Sequence, residues 1–405
     1  TTRRQGHMSE HTRRRWRRAM VGGAAVAVAV AAVVVPAAPA SAADPAITAA
    51  EQPFYAYYSL GKIHSAGYTG RGVTIALIDG PVNTRIPELT GANIEDSKPC
   101  SVQSQDKYWD HGTVIAQVMV APDFGVAPGA HLRSYRLSFD GDQAGSDCAI
   151  GDWGRARSDL ALLIESALND GVDVITTSSS YPSDYEGMRW ALARAIASKV
   201  PVVASTGNDS TRNSTEWLPS WGGVVGVGAI ETNGRPSDYQ NWGRPLSTAA
   251  LACPLARSGV SQERGEWWGT SFAAPVVAGS LALSMQRWPS ATGNQILQGL
   301  ARTGVGGNGG EWNEYTGYGA LDIYAMLTTN PTSFPDENPF MDKGTNTVPS
   351  RQDVQDYIDG VVDPRVVMND NSYEYLGYDE RLALSREHGY PTHLGTSPRF
   401  HKKKK

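Results

Sequence analysis

The sequence predicts a three-layer α/β fold, with helices on both faces of a mostly parallel central sheet and a Pro-rich, extended C-terminal tail. Three observations carry that reading. Short apolar, β-branched runs at residues 73–78, 172–175 and 200–204 have the composition of strands buried on both faces. Stretches with apolar residues at helical spacing alternate with them, the order that builds a parallel sheet. Residues 271–286 carry no charge, which fits a helix buried on nearly every side rather than an amphipathic surface helix.

A chain of 405 residues has room for one large domain with extensions or for two domains, and 40% hydrophobic with 19% charged residues suits a substantial core. Residues 1–43 have the layout of a secretory signal peptide. Seven arginines precede Met20, an apolar run covers residues 19–35, and Ala40-Ser41-Ala42 offers a small-residue cleavage site after Pro36. Removing this segment, with its seven Arg and one Glu, takes the net charge from −5 to −11. So acidic a chain is a poor nucleic-acid binder. No other apolar run approaches membrane-spanning length, so the expectation is a secreted monomer with no membrane contact once the signal is removed. Cys100, Cys148 and Cys253 permit one intramolecular disulfide. Cys100 with Cys148 is the expected pair, because both lie in Gly/Ser/Asp-rich loops, and Cys253 is then free.

In chain order, residues 60–66 have a short helical pattern. The strand at 73–78 delivers Asp79 at its carboxyl end. Asp110-His111-Gly112-Thr113 opens a helical stretch through residue 120, which places His111 at a helix start. A strand around 133–137 and a helix over 159–169, ended by Gly171, lead to the strand at 172–175 and then Ser178-Ser179-Ser180. A helix over 186–198 precedes the strand at 200–204, which delivers Asn208, and residues 224–229 form one more strand. Gly269-Thr270-Ser271-Phe272-Ala273-Ala274-Pro275 opens the uncharged helix. Gly269 permits a sharp entry, and Pro275 lacks the N–H that would bond the Ser271 carbonyl, so the first turn is expected to be irregular there. Helices follow over 287–300 and near Leu327. From Asn330 the character changes: the last 75 residues hold 7 of the 24 prolines. One capped helix is expected at 350–360, with Val354, Tyr357, Ile358 and Val361 on one side. The expected divisions are a signal peptide at 1–43, a main domain at 44–330 and a partly disordered extension at 331–405.

Asp79 and Asn208 thus end strands, whereas His111 and Ser271 begin helices, and both kinds of terminus gather along one edge of a parallel sheet. A serine at a helix start lies beside unpaired N–H groups that can hold a developing oxyanion. An imidazole titrates near neutrality, where it can take the proton of a weakly nucleophilic hydroxyl.

Residues 73–80, 111–113, 205–209 and 269–275 resemble the motifs of the subtilisin-like (S8) serine peptidases, in that family's order. Residues 125–132 and 317–322 also resemble family strings, and the likeness covers roughly residues 55–330. The resemblance implies an endopeptidase that cleaves peptide or protein substrates through an acyl-enzyme. Ser271 is the implied nucleophile, His111 the general base, Asp79 its orienting carboxylate and Asn208 the oxyanion donor. Ser178, Ser179 and Ser180 are the implied substrate-binding residues. The chemistry requires no cofactor, and structural calcium of the kind common in the family cannot be assigned to particular residues, since no string matches its ligands.

Two departures mark this chain. Asp79 is followed by Gly80-Pro81 where the family has a small hydroxyl residue and Gly, a string closer to the maturation proteases of ribosomal peptides. Ser180 stands where the family has the glycine of Ser-Leu-Gly, and a side chain there narrows the primary pocket. The leading reading is a secreted serine endopeptidase. The alternatives are a dedicated peptide-maturation protease or acyl transferase of the same fold, and a non-catalytic binding module. The metalloprotease helix His-Glu-x-x-His is absent from the sequence. Trp267 and Trp268, just before the serine motif, are either walls of the substrate cleft or core packing.

Overall fold

The computed structural model describes residues 44–359, apart from 151–154, 157, 179–184, 215–217, 252, 308–309 and 345–346. The expected signal peptide and the chain from residue 360 onward lie outside the described residues.

Two short helices, α1 (Pro53–Tyr57) and α2 (Leu60–Ser65), precede the sheet. Seven strands then form it: β1 (Thr74–Asp79), β2 (Ile94–Ser97), β3 (His131–Arg136), β4 (Val174–Thr177), β5 (Val202–Ser205), β6 (Val225–Ile230) and β7 (Thr248–Leu251). They lie in the order β7-β6-β5-β4-β1-β3-β2, and every pairing is parallel. The strands alternate side chains between two cores, as the pleat requires. Ile75 and Leu77 point into one core together with α3 (Asp106–Val120), while Ala76 and Ile78 point into the other with α4 (Leu160–Asn169) and α5 (Tyr185–Ala197). The first core also holds α6 (Thr270–Arg287), α7 (Gly293–Thr303) and α8 (Ile323–Thr328). Burying each Ile, Leu or Val contributes about 1.5–3 kcal/mol, and a slip of one residue would exchange the two faces of β1. These are the three layers that the sequence predicts.

The chain fills β1, β2 and β3 on one side of the sheet, then crosses to β4 on the other, so the strand order reverses between β1 and β4. Ligand sites of open α/β sheets lie at the carboxyl ends of the strands at such a reversal. Asp79 ends β1, and Ser178 immediately follows β4.

Helix α6 runs behind this edge, and every residue from Phe272 to Ser284 is buried. It packs against α3 and against β4 to β7. Its N-cap, Gly269, has φ of 137°, a backbone conformation open to glycine and strained for side chains. Just upstream, a hairpin of β8 (Leu255–Arg257) and β9 (Arg264–Glu266) crosses to the N-terminal segment. The buried Arg257 guanidinium donates through Nε to both oxygens of Glu88 at 3.0 and 2.9 Å, and through Nη2 to the carbonyls of Asp44 and Pro45. Glu88 also accepts the Ile47 N–H at 3.0 Å. The N-terminal segment is thereby held to the body by a satisfied buried ion pair.

The expected disulfide forms between Cys100 and Cys148, with an S–S distance of 2.10 Å, and Cys253 is free and partly buried. One expectation needs correction. Helix α3 begins at Asp106 rather than at Asp110, so His111 sits in its second turn. Strands β2 and β7 and the β8–β9 hairpin carry no expectation from the sequence. Within the extension, the described part of residues 331–359 packs on the domain. Phe340 and Met341 are buried, Asn338 donates to the Gly223 carbonyl, and Lys343 Nζ donates to the Pro245 carbonyl and Ser247 Oγ. The last helix, α9 (Arg351–Ile358), has the expected capping box of Ser350 and Asp353. It buries Tyr357 against Leu162 and Trp190, but Ile358 is exposed rather than packed.

Candidate active site

The Asp79 carboxylate is fully buried at the end of β1, and its Oδ1 accepts the Gly80 N–H at 2.7 Å. The same oxygen lies 2.7 Å from His111 Nδ1. A carboxylate only accepts, so Nδ1 carries the proton and Nε2 is left with a free lone pair. Burial, the largest influence on this imidazole, pushes its pKa down. The charge of Asp79 and its hydrogen bond together outweigh that, and the pKa sits above the ordinary 6.5. Asp79 Oδ2 is buried with no hydrogen-bond partner among the described residues. The neighbouring Gly80 explains why no hydroxyl serves it: a Cβ at residue 80 would lie 2.0 Å from the Tyr108 carbonyl oxygen in the first turn of α3.

Ser271 is the second residue of α6 and is partly exposed. The Phe272 ring beside it lies 5.7 Å from the His111 imidazole, centroid to centroid, which puts the helix start next to that histidine. No hydrogen bond joins the Ser271 hydroxyl to His111 in this structure, a looseness common before substrate binds. Among the first N–H groups of α6, that of Thr270 goes to Asn208 and that of Phe272 to the Gly269 carbonyl, whereas that of Ser271 has no partner among the described residues.

Asn208 lies exposed in the loop after β5. Its Oδ1 accepts both the N–H and the hydroxyl of Thr270, at 2.9 and 3.0 Å. That orientation leaves Nδ2 as the outward donor. A Cβ at Gly269 would stand 3.3 Å from this nitrogen, so glycine there keeps the donor uncrowded. The loop itself is pinned by Asn241, which is buried: Oδ1 accepts the N–H groups of Asp209 and Thr211, and Nδ2 donates to the Thr206 carbonyl.

Ser178 is buried, and its hydroxyl donates to the Ser271 carbonyl at 2.8 Å. Its side chain therefore supports the start of α6. Ser179 and Ser180 lie outside the described residues. The structure thus draws Asp79 to His111, brings Ser271 beside that histidine through Phe272, and joins Asn208 and Ser178 to the same helix start. Thr270 and Asn241 are positioning residues that the sequence reading missed. So is Asp110, whose Oδ1 accepts from the Ser258 hydroxyl at 2.6 Å and the Val260 N–H at 3.0 Å, tying the residue before His111 to the β8–β9 hairpin. Thr270 and Asp110 flank Ser271 and His111, which is the one signal they give.

Chemistry, not cavity size, marks this site. A cavity of about 910 Å³ lined by Tyr58, Lys62, Tyr68, Arg287, Tyr324 and Leu327 opens at the other end of α6 and includes none of these groups. No cluster of three His, Cys, Asp or Glu side chains suited to a metal is found among the described residues.

The model of the subtilase family matches residues 70–319. Subtilisin E of Bacillus subtilis (strain 168) is 26% identical over 272 residues, covering 65% of this chain and 68% of that protein. Subtilisin BL of Lederbergia lenta is 30% identical over 249 residues, covering 59% and 86%. Among solved structures, MycP1 from the ESX-1 type VII secretion system aligns with a TM-score of 0.58 at 25% identity, covering 73% of this chain and 90% of that one. The prenylagaramide maturation protease PagA aligns with a TM-score of 0.55 at 22% identity, covering 66% and 96%.

Proposed function

The chain belongs to the subtilase family and is a serine-type endopeptidase, and from that premise we propose that Ser271, His111 and Asp79 are its catalytic triad. His111 Nε2 takes the Ser271 proton as Oγ attacks the scissile carbonyl, and later delivers it to the leaving nitrogen. Asp79 holds the imidazole in that tautomer and stabilises its charged form. Asn208 Nδ2 and the Ser271 N–H receive the oxyanion. The observation that carries this reading is the 2.7 Å bond between His111 and the buried Asp79, beside a helix start whose Ser271 N–H has no partner among the described residues. A fluorophosphonate should label the purified protein, and Ser271→Ala should abolish labelling; labelling that persists in the variant overturns the assignment.

The enzyme acts outside the cell, exported by residues 1–43. The Cys100–Cys148 disulfide supports this, because it suits an oxidising compartment.

A narrower reading, processing or acyl transfer on a dedicated peptide, is favoured by Gly80-Pro81 where the family has a hydroxyl residue and Gly, with Gly80 close against Tyr108. Solved structures of the same fold include PagA and the PatG macrocyclase in complex with peptide. Added amine nucleophile separates the two: an acyl transferase diverts product into the amide, whereas a hydrolase releases free acid throughout.

A further inference from the structure

Large hydrophobic side chains are exposed at seven positions among the described residues, and they are not spread evenly. Trp268 stands beside the nucleophile. Tyr57, Val305 and Tyr324, at 42%, 59% and 69% exposure, instead line one cavity at the far end of α6. Single exposed apolar residues are ordinary, but several around one concavity mark a contact site. The cavity lies between elements from distant parts of the chain: α2, the end of α6, and α8. Its walls are fixed. Trp288 Nε1, just past α6, donates to the Met326 carbonyl in α8 at 3.1 Å, and the Tyr58 hydroxyl accepts the Leu251 N–H of β7 at 2.9 Å. A surface built this way needs little ordering when a ligand arrives.

The charge on this wall opposes that of the whole protein. The chain has 41 acidic and 36 basic residues, yet the cavity lining holds Lys62, Arg287 and a single carboxylate, Asp322. Asp322 Oδ1 is already taken by the Ala325 N–H at the start of α8. Neither cation has an ion-pair partner among the described residues. The Arg287 guanidinium lies 4.0 Å from the ring centroid of Trp288 and 5.8 Å from that of Tyr68. Stacking uses the faces of the guanidinium and leaves its N–H edge for a carboxylate.

We propose that this groove is a second peptide-binding site, remote from the scissile bond, for an acidic segment of the substrate that carries an aromatic side chain. The ring packs among Tyr57, Tyr68 and Tyr324, and the carboxylates pair with Lys62 and Arg287. This rests on the assignment of Ser271 and His111 above. From Ser271 to Arg287, α6 is about 24 Å long at 1.5 Å per residue, a distance that about eight extended residues span. One polypeptide can therefore occupy both sites. Contacts so far from the reacting atoms are equal in the ground state and the transition state, so they lower KM and leave kcat alone.

The first test needs no catalysis. In a polarisation titration, fluorescein-labelled Glu-Glu-Tyr-Glu-Phe-Glu should bind the full-length Ser271→Ala protein about fivefold more tightly than Glu-Glu-Ser-Glu-Ser-Glu. Lys-Lys-Tyr-Lys-Phe-Lys should not bind. Lys62→Glu, Arg287→Gln and Tyr324→Ser, made singly in that protein, should each weaken binding about fivefold. Lys62 and Tyr324 are exposed, so those two variants carry the test even where Arg287→Gln fails to fold. The second test joins the acidic aromatic hexapeptide, through a Gly/Ser linker of about ten residues, to either end of an internally quenched peptide. At one end the tag should lower KM about tenfold with kcat unchanged, and Lys62→Glu should abolish that gain. Absence of binding, binding that the variants leave unchanged, equal binding of the basic peptide, or a KM that the tag alters at neither end overturns the proposal. Protein that binds the acidic peptide but whose wild type is never labelled by a fluorophosphonate refutes the catalytic assignment instead of the groove.

Discussion

The Ser178 hydroxyl donates to the Ser271 carbonyl at 2.8 Å. In an uninterrupted helix that carbonyl would accept the N–H of residue 275, which is proline and has none. A side chain at the end of β4 thus replaces the missing helical bond and ties the nucleophile's backbone to the sheet, at the reversal of strand order where Asp79 also lies.

Ser178→Ala should strand that carbonyl without a partner, at a cost of about 1–3 kcal/mol, read as a lower denaturation midpoint. The variant should lose kcat with little change in KM, because the helix start moves while the cleft is unaltered. A raised KM with unchanged stability and kcat would show that the hydroxyl binds substrate instead.

The acid limb of kcat/KM should have its midpoint above 6.5. His111 works as a base only when neutral, and Asp79 holds its pKa above the ordinary value. The same raised pKa means that the ion pair stabilises the fold at low pH and that this contribution fades as pH rises through the folded-state value. Asp79→Asn should lower the midpoint and reduce kcat by about 10⁴-fold through the wrong tautomer. A profile flat from about pH 5 to 9, across the ordinary range of imidazole, would exclude His111 as the base.

Gly80→Ser restores the hydroxyl that the family carries there, yet it should damage this enzyme. The new Cβ would meet the Tyr108 carbonyl oxygen at 2.0 Å, so α3 and its histidine must shift, at about 1–3 kcal/mol. A variant with wild-type kcat and midpoint would mean that the contact relaxes freely.

Glu88→Ala should destabilise the domain by about 3–5 kcal/mol, because it leaves the Arg257 guanidinium buried without its counter-charge. Urea denaturation measures this. A change below about 1 kcal/mol would show that water reaches the site and that the pair acts as an exposed one.

The parts of the molecule that were readable in the sequence are those with a dense local signal. β1 is an unbroken apolar run because both of its faces are covered, and so the position of Asp79 was plain. β2 was not, since Glu95 and Asp96 lie on an edge strand half open to water. β7 is short and alanine-rich. The start of α3 was misplaced because Gln105 caps without a side-chain bond, while Asp110, which looks like a cap, holds Ser258 and Val260 instead. Ser178 and Asn241 act through side-chain to backbone bonds over long separations in the chain, as in the 93 residues from Ser178 to Ser271, and such bonds leave no periodicity to read. The packing of residues 331–359 rests on scattered contacts such as those of Asn338, Phe340, Lys343 and Tyr357, which leave no periodicity either.

The most direct test of the central claim is whether Ser271 and His111 act as one unit. It compares peptidase kcat in Ser271→Ala, His111→Ala and the double variant, each with a fold check by circular dichroism. A shared triad predicts that each single change costs on the order of 10⁶-fold and that the double change costs no more than either alone. Losses that multiply in the double variant, or a Ser271→Ala enzyme that keeps most of its activity, would contradict the triad.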